Sequence, residues 1–113
     1  MKIYHNPRCS KSRQTLALIR AAGVEPEIVE YLNEPPSVEE LDDLLKKLRL
    51  EPRDIMRKGE PEYKDLKLKD RELERDEALR LLVKHPKLIE RPIVVKGRNA
   101  VLGRLPENVK ELF

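Results

Sequence analysis

Apolar and polar positions along this chain change period several times. Lys2, Ile3 and Tyr4 read as a short opening strand. From Ser10 to Ala22 the spacing turns helical, with Leu16, Ile19 and Ala22 three residues apart. Asn6-Pro7 marks the turn between them, and Gly23 is a C-terminal stop for the helix. Glu27 to Leu32 brings Ile28, Val29, Tyr31 and Leu32 together as a second strand, broken by Asn33-Glu34-Pro35-Pro36. Strand, helix and strand in this order predict a parallel βαβ unit.

The middle of the chain reads as helical. Ser37-Val38-Glu39-Glu40 has the form of a capping box, with Ser37 as N-cap. Val38, Leu41, Leu44, Leu45 and Leu48 then line one helix face, a stripe for the core. Pro52 opens a short helix expected to run through Arg57, and Lys58-Gly59-Glu60-Pro61 ends it. Tyr63 to Leu68 is a weak, charged helical turn. Leu73, Ala78, Leu79, Leu82 and Val83 outline a further helix stopped at His85-Pro86, with Arg75 and Arg80 expected on its outer face. Ile93-Val94-Val95 and Ala100-Val101-Leu102 flank a Gly97-Arg98-Asn99 turn as a hairpin, and Pro106 starts a last helix to Phe113. The order β-α-β, helical block, β-β-α is a thioredoxin-like α/β plan with a mixed sheet. It has a helical insertion at about 37–90 within a single domain, 1–113.

Composition narrows the function classes. The 24 Lys and Arg against 21 Asp and Glu leave a net charge of +3, with the two signs interspersed rather than bunched. Such a surface is solvated and does not imply a nucleic-acid partner. No stretch approaches the apolar length of a membrane span, and the N-terminus has no apolar signal core. One cysteine excludes an internal disulfide and a four-thiolate metal site. A reduced, cytoplasmic setting is the expectation, with the chain acting as a monomer.

That cysteine, Cys9, falls at the strand-to-helix junction, beside a helix N-terminus. Unpaired backbone N–H groups there favour an anion, and a thiolate is one. Arg8, Lys11 and Arg13 lie within four residues. A thiol so placed has its pKa lowered to about 3.5–7.5 and becomes the reactive form, whereas a lone cysteine elsewhere is a small buried hydrophobe. Two arginines flank the hairpin: Arg91 before Pro92, and Arg104 after Gly103. In a thioredoxin-like plan the loop before the third strand faces the cysteine loop. Pro92 is a candidate for a cis bond, and Arg91 is carried towards Cys9. Arginine suits planar, bidentate contact with a tetrahedral oxyanion.

His5-Asn6-Pro7-Arg8-Cys9-Ser10-Lys11-Ser12-Arg13 resembles the active-site segment of the glutaredoxin-coupled arsenate reductases, the ArsC family. Glu25-Pro26, Tyr31-Leu32, Pro35-Pro36, Met56-Arg57-Lys58 and His85-Pro86 extend the resemblance. Glu90-Arg91-Pro92-Ile93-Val94-Val95 and Gly103-Arg104-Leu105-Pro106 carry it over nearly the whole chain. Members of the arsenic-resistance type often extend further; a chain ending at Phe113 looks like a short branch.

The resemblance implies a chemistry. Cys9 attacks arsenate, which Arg57, Arg91 and Arg104 neutralise and orient. Glutathione, a co-substrate, attacks the adduct; glutaredoxin resolves the mixed disulfide and arsenite leaves. No tightly bound cofactor and no metal is implied. The histidine matching His5 is linked in the family to cysteine activation; a hydrogen-bonded structural histidine is the other reading. With one thiol in the chain, electrons must come from an external thiol. Cys9-Ser10-Lys11-Ser12 is not a Cys-x-x-Cys motif, and Arg13 follows Cys9 too closely for a phosphatase loop. Two alternatives share the fold: a glutathione-dependent monothiol oxidoreductase, and a redox regulator that binds RNA polymerase.

Overall fold

The computed structural model describes residues 1–113. Its chain divides into two compact units, Met1–Glu34 with Arg91–Phe113, and Pro35–Glu90.

The first unit holds a four-stranded mixed sheet: β1 (Lys2–Tyr4), β2 (Glu27–Val29), β3 (Ile93–Lys96) and β4 (Asn99–Leu102), in the order β2-β1-β3-β4. β1 pairs parallel with β2 through Ile3↔Ile28, and antiparallel with β3 through Ile3↔Val94. Helix α1 (Ser10–Ala21) is the crossover between the parallel pair. It ends as its sequence suggests. Gly23, at φ +83°, takes the left-handed position, its N–H donating to Arg20 O (3.0 Å) and that of Val24 to Ile19 O (3.3 Å). β3 and β4 close through a two-residue loop, where Gly97 has φ +61° and Lys96 pairs with Asn99. Ile3, Leu16, Ile19, Val94, Val109 and Leu112 form the core between sheet, α1 and the C-terminal segment.

Two elements of this unit differ from expectation. The second strand stops at Val29 instead of Leu32, because Glu30 O accepts from Asn33 N (3.0 Å) and Glu34 N (2.9 Å) and turns the chain. The last helix, Pro106–Leu112, is a 3-10 helix. Its buried residues, Val109 and Leu112, are three apart, the period at which a 3-10 helix keeps side chains on one line.

The second unit is helical: α2 (Val38–Leu48), α3 (Pro61–Asp65) and α4 (Arg75–Lys84), with 3-10 turns at Pro52–Ile55, Leu68–Asp70 and Pro86–Leu88. Ser37 caps α2, its Oγ accepting from Glu40 N at 3.1 Å. Leu41, Leu44 and Leu45 are buried as the stripe requires, as are Ala78, Leu79 and Leu82 of α4. The short helix at Pro52 ends at Ile55, before Arg57. Met56 turns extended and bridges antiparallel to Ile89, with Arg57 N donating to Leu88 O and Glu90 N to Ile55 O, each at 2.7 Å. Arg75 is not a free outer-face residue: it is clamped on Asp42 and Glu51. No helix is long and apolar enough to cross a membrane.

Candidate active site

Cys9 is the N-cap of α1, in extended backbone (φ −95°, ψ 122°). The loop before it is tied to itself. Cys9 N donates to Asn6 O and Arg8 N to Asn6 Oδ1, both at 3.0 Å. Arg13 reaches back to Pro7 O at 2.9 Å. Asn6 N donates to Ser12 Oγ (3.1 Å), and His5 Nδ1 lies 2.6 Å from the same hydroxyl. A turn of the helix is thereby fastened to the end of β1.

Cys9 is half-buried, and that partial burial pushes its pKa up. Three influences outweigh it. The N–H of Ser12 faces the sulfur, the Arg91 guanidinium acts on it by charge and as a hydrogen-bond donor, and the N–H of Lys11 adds to both. The thiol therefore lies below its ordinary value, and the thiolate is favoured. These N–H groups occupy the second and third helical positions, the ones an N-cap side chain satisfies. The basic neighbours in sequence act less directly than expected: Arg13 is engaged with Pro7 O, and Lys11 contributes through its backbone.

The decisive cation comes from 82 positions along the chain (91 − 9). Arg91 immediately precedes Pro92, and their peptide bond is cis. Its Nε is buried with no hydrogen-bond partner. A guanidinium N–H without an acceptor in the interior is costly, and an oxyanion on it would remove that cost. Gly103 backs this turn. Its N–H donates to Pro92 O at 2.8 Å, and a Cβ there would stand 2.6 Å from Pro92 Cγ and 2.7 Å from Thr15 Oγ1. Thr15 in turn donates to Lys11 O at 2.8 Å, in the first turn of α1.

The remaining site residues from the sequence are placed differently. His5 is buried and pairs with Ser12. Burial lowers its pKa, Glu30 opposes this, and Arg20 and Arg13 reinforce it, so the ring is neutral near pH 7. Arg104 is exposed in the turn after β4. Arg57 belongs to the second unit, where its guanidinium bonds Glu60 and lies 3.8 Å from Glu90. Ser12 and Thr15 are the residues sequence reasoning passed over. Ser12 was readable as the third helical position after an N-cap; Thr15 had no local signal. No group of three His, Cys, Asp or Glu side chains is arranged to hold a metal.

The chain matches the model of the ArsC family over residues 4–112. It is 45% identical to an arsenate reductase of Neisseria meningitidis (serogroup A / serotype 4A), covering 100% of this chain and 97% of that one. It is 50% identical to an uncharacterised Escherichia coli K12 protein, YfgD, over 99% of this chain and 95% of that one. A solved structure described as an arsenate reductase from Vibrio cholerae superposes with a TM-score of 0.95 at 50% identity, covering 100% of this chain and 98% of that one. With its mixed sheet, thioredoxin-like fold and N-terminal cysteine loop, the chain belongs to the ArsC family.

Proposed function

We propose that this protein reduces arsenate with electrons from an external thiol. The observation that carries the reading is the pairing of a thiolate-favouring Cys9 with Arg91, whose buried Nε has no acceptor. Similar proteins named arsenate reductases support it. The Cys9 thiolate attacks arsenic(V); an S–As bond forms, and one arsenate oxygen takes up protons and leaves as water. A small thiol such as glutathione then attacks the Cys9 sulfur. An S–S bond forms, the S–As bond breaks, and its electron pair goes to arsenic, which departs as arsenite. The thiol proton ends on an arsenite oxygen. A second thiol, delivered by glutathione or glutaredoxin, frees Cys9 as one disulfide leaves. Each turnover oxidises two external thiols and reduces one arsenic by two electrons.

Arg91 neutralises the bound oxyanion and steadies the charge that builds on oxygen as sulfur adds. Ser12 and Lys11 N–H groups hold the thiolate before attack. The family resemblance adds Arg57 and Arg104 as oxyanion ligands, and His5 as a group linked to cysteine activation; the His5–Ser12 contact is the route we propose for that support.

The test is arsenate-dependent NADPH oxidation with glutathione, glutaredoxin and glutathione reductase supplied. Wild type should turn over, and Cys9→Ser should be inactive while keeping the same circular dichroism. A serine hydroxyl is almost wholly protonated at pH 7 and offers no comparable nucleophile. Turnover retained in Cys9→Ser would sink the mechanism. Thiol exchange on glutathionylated peptides without arsenate turnover would favour the monothiol oxidoreductase instead.

A further inference from the structure

Apart from two tyrosines, the polar side chains that this fold buries are His5, Ser12 and Thr15. His5 and Ser12 satisfy each other across the cysteine loop, and Thr15 lies one turn further along α1. Thr15 has no part in the chemistry described so far, yet it is 0% exposed. The bare backbone of Gly103 packs against its hydroxyl. Packing alone would be met by valine, which has the same shape and no polar group to take out of water. The hydroxyl is therefore the feature that needs a reason.

That hydroxyl donates to Lys11 O at 2.8 Å. Threonines often bond the carbonyl four residues back in a helix. What sets this one apart is the peptide group it bonds. Lys11 C=O and Ser12 N–H belong to one rigid, planar unit. The Ser12 N–H is the one that faces the Cys9 sulfur. Thr15 thus holds one end of a unit whose other end holds the sulfur. A bond accepted by the carbonyl also polarises the unit and strengthens its N–H as a donor, by about 10–30%.

We infer that Thr15 is a positioning residue for Cys9: its buried hydroxyl fixes and polarises the Lys11–Ser12 peptide group, and through it the N–H that holds the sulfur. The inference rests on Cys9 being the nucleophile of the reaction proposed above. Alkylation of the sulfur reads it without arsenate.

The test is the pH dependence of Cys9 alkylation in three variants, with circular dichroism to verify folding. Thr15→Val keeps the shape and removes the hydroxyl. Thr15→Ser and Thr15→Ala both remove the methyl, and only Thr15→Ala loses the hydroxyl. The charged and titratable groups on the elements around Cys9 are His5, Arg8, Lys11, Arg13, Arg91 and Arg104, and all are kept. The midpoint should rise by about 0.1–0.7 pH units in Thr15→Val and Thr15→Ala, the equivalent of 10–30% of a charge-assisted hydrogen bond, and hold in Thr15→Ser. The same rise should appear when Thr15→Val is made in an Arg91→Ala background, because the route does not pass through the guanidinium. With Cys9 ionised, the Ser12 amide proton should move upfield in Thr15→Val. A midpoint unmoved without the hydroxyl, an equal rise in Thr15→Ser, or a rise that vanishes with Arg91 would overturn the inference. Should Thr15→Val not fold, the comparison of Thr15→Ser with Thr15→Ala decides alone. Arsenate turnover of the wild type is a separate measurement, so the reductase reading can fail while the alkylation series still decides the role of Thr15.

Discussion

The arginines of the two units are used in opposite ways. In the helical unit Arg75 directs Nε and Nη2 to Asp42 Oδ1 (2.9 and 2.7 Å) and Nη1 to Glu51 Oε2 (2.9 Å). The pair holds the Asp42 carboxyl below its usual value, chiefly through the hydrogen bonds from Arg75 and then Lys46. Arg57 is likewise flanked by Glu60 and Glu90. In the sheet unit Arg91 lies against a thiol, and its buried Nε has no acceptor at all. An arginine supplied with carboxylates by its own fold braces that fold. One left short of acceptors in the interior is poised for an anion that arrives from solution. Charge and residue type are the same in both cases; the acceptors differ.

Removing Arg91, whose Nε has no acceptor, should break the contrast most. Arg91→Ala should slow adduct formation by about 10- to 150-fold, the worth of a charge-assisted hydrogen bond. It should also move the midpoint of Cys9 alkylation against pH upward, since Arg91 is among the groups that lower it. Arg91→Lys keeps the charge without the planar fork and should fall between. An alkylation midpoint unchanged in Arg91→Ala would show that the helix N–H groups alone set the thiol.

The next effect acts on Arg91 from behind. A methyl group at Gly103 would press on Pro92 and Thr15 at 2.6 and 2.7 Å. Gly103→Ala should cost about 1–3 kcal/mol, the range for overpacking a buried site. Because Pro92 carries Arg91, the Cys9 midpoint should rise as well. Thr15→Ala added to Gly103→Ala opens part of that space and should restore some stability in urea melts. A double variant no better than Gly103→Ala would place the strain elsewhere.

A third, smaller effect concerns His5. Its pKa in the folded chain is below the ordinary 6.5, first because it is buried. The unfolded chain therefore binds the extra proton more readily. Stability from this residue is complete above about pH 6.5 and declines as pH falls through the folded value. Urea midpoints measured from pH 8 to 5 should drop at the acid end, and the His5→Asn variant should drop less steeply over that window. Equal slopes would assign the acid sensitivity to other groups.

The smallest change is expected from the braced arginines. Arg75→Ala should lower the thermal midpoint slightly and leave Cys9 alkylation as it is, because surface ion pairs contribute little. Arg57→Ala should cost less in arsenate turnover than Arg91→Ala, since Glu60 and Glu90 already compete for that guanidinium. An Arg57→Ala loss equal to that of Arg91→Ala would mean that both carboxylates yield to the oxyanion.

Sequence alone determined what depends on neighbours along the chain. The helix from Ser10, its stop at Gly23, the Ser37 cap and the Leu41-Leu44-Leu45 stripe are local signals, and each element formed where they lie. The cysteine at a helix start was equally legible, since an N-cap is defined by the residues beside it. Boundaries set by distant partners were not. The Pro52 helix gave way at Met56 to a bridge with Ile89, and Arg75 found Asp42 and Glu51, 33 and 24 positions away. The thioredoxin-like plan pointed Arg91 towards Cys9, but only the tertiary structure decided that Arg91, and not the nearer bases, is the arginine acting on the sulfur. Arg8, Lys11 and Arg13 are nearer in sequence, but side chains on a helix start and its loop point outward as readily as in. Arg91 reaches the sulfur because β3 pairs with β1 in a register that sets Ile93 against Tyr4, so the turn holding Arg91 ends up at the same end of the sheet as the cysteine loop.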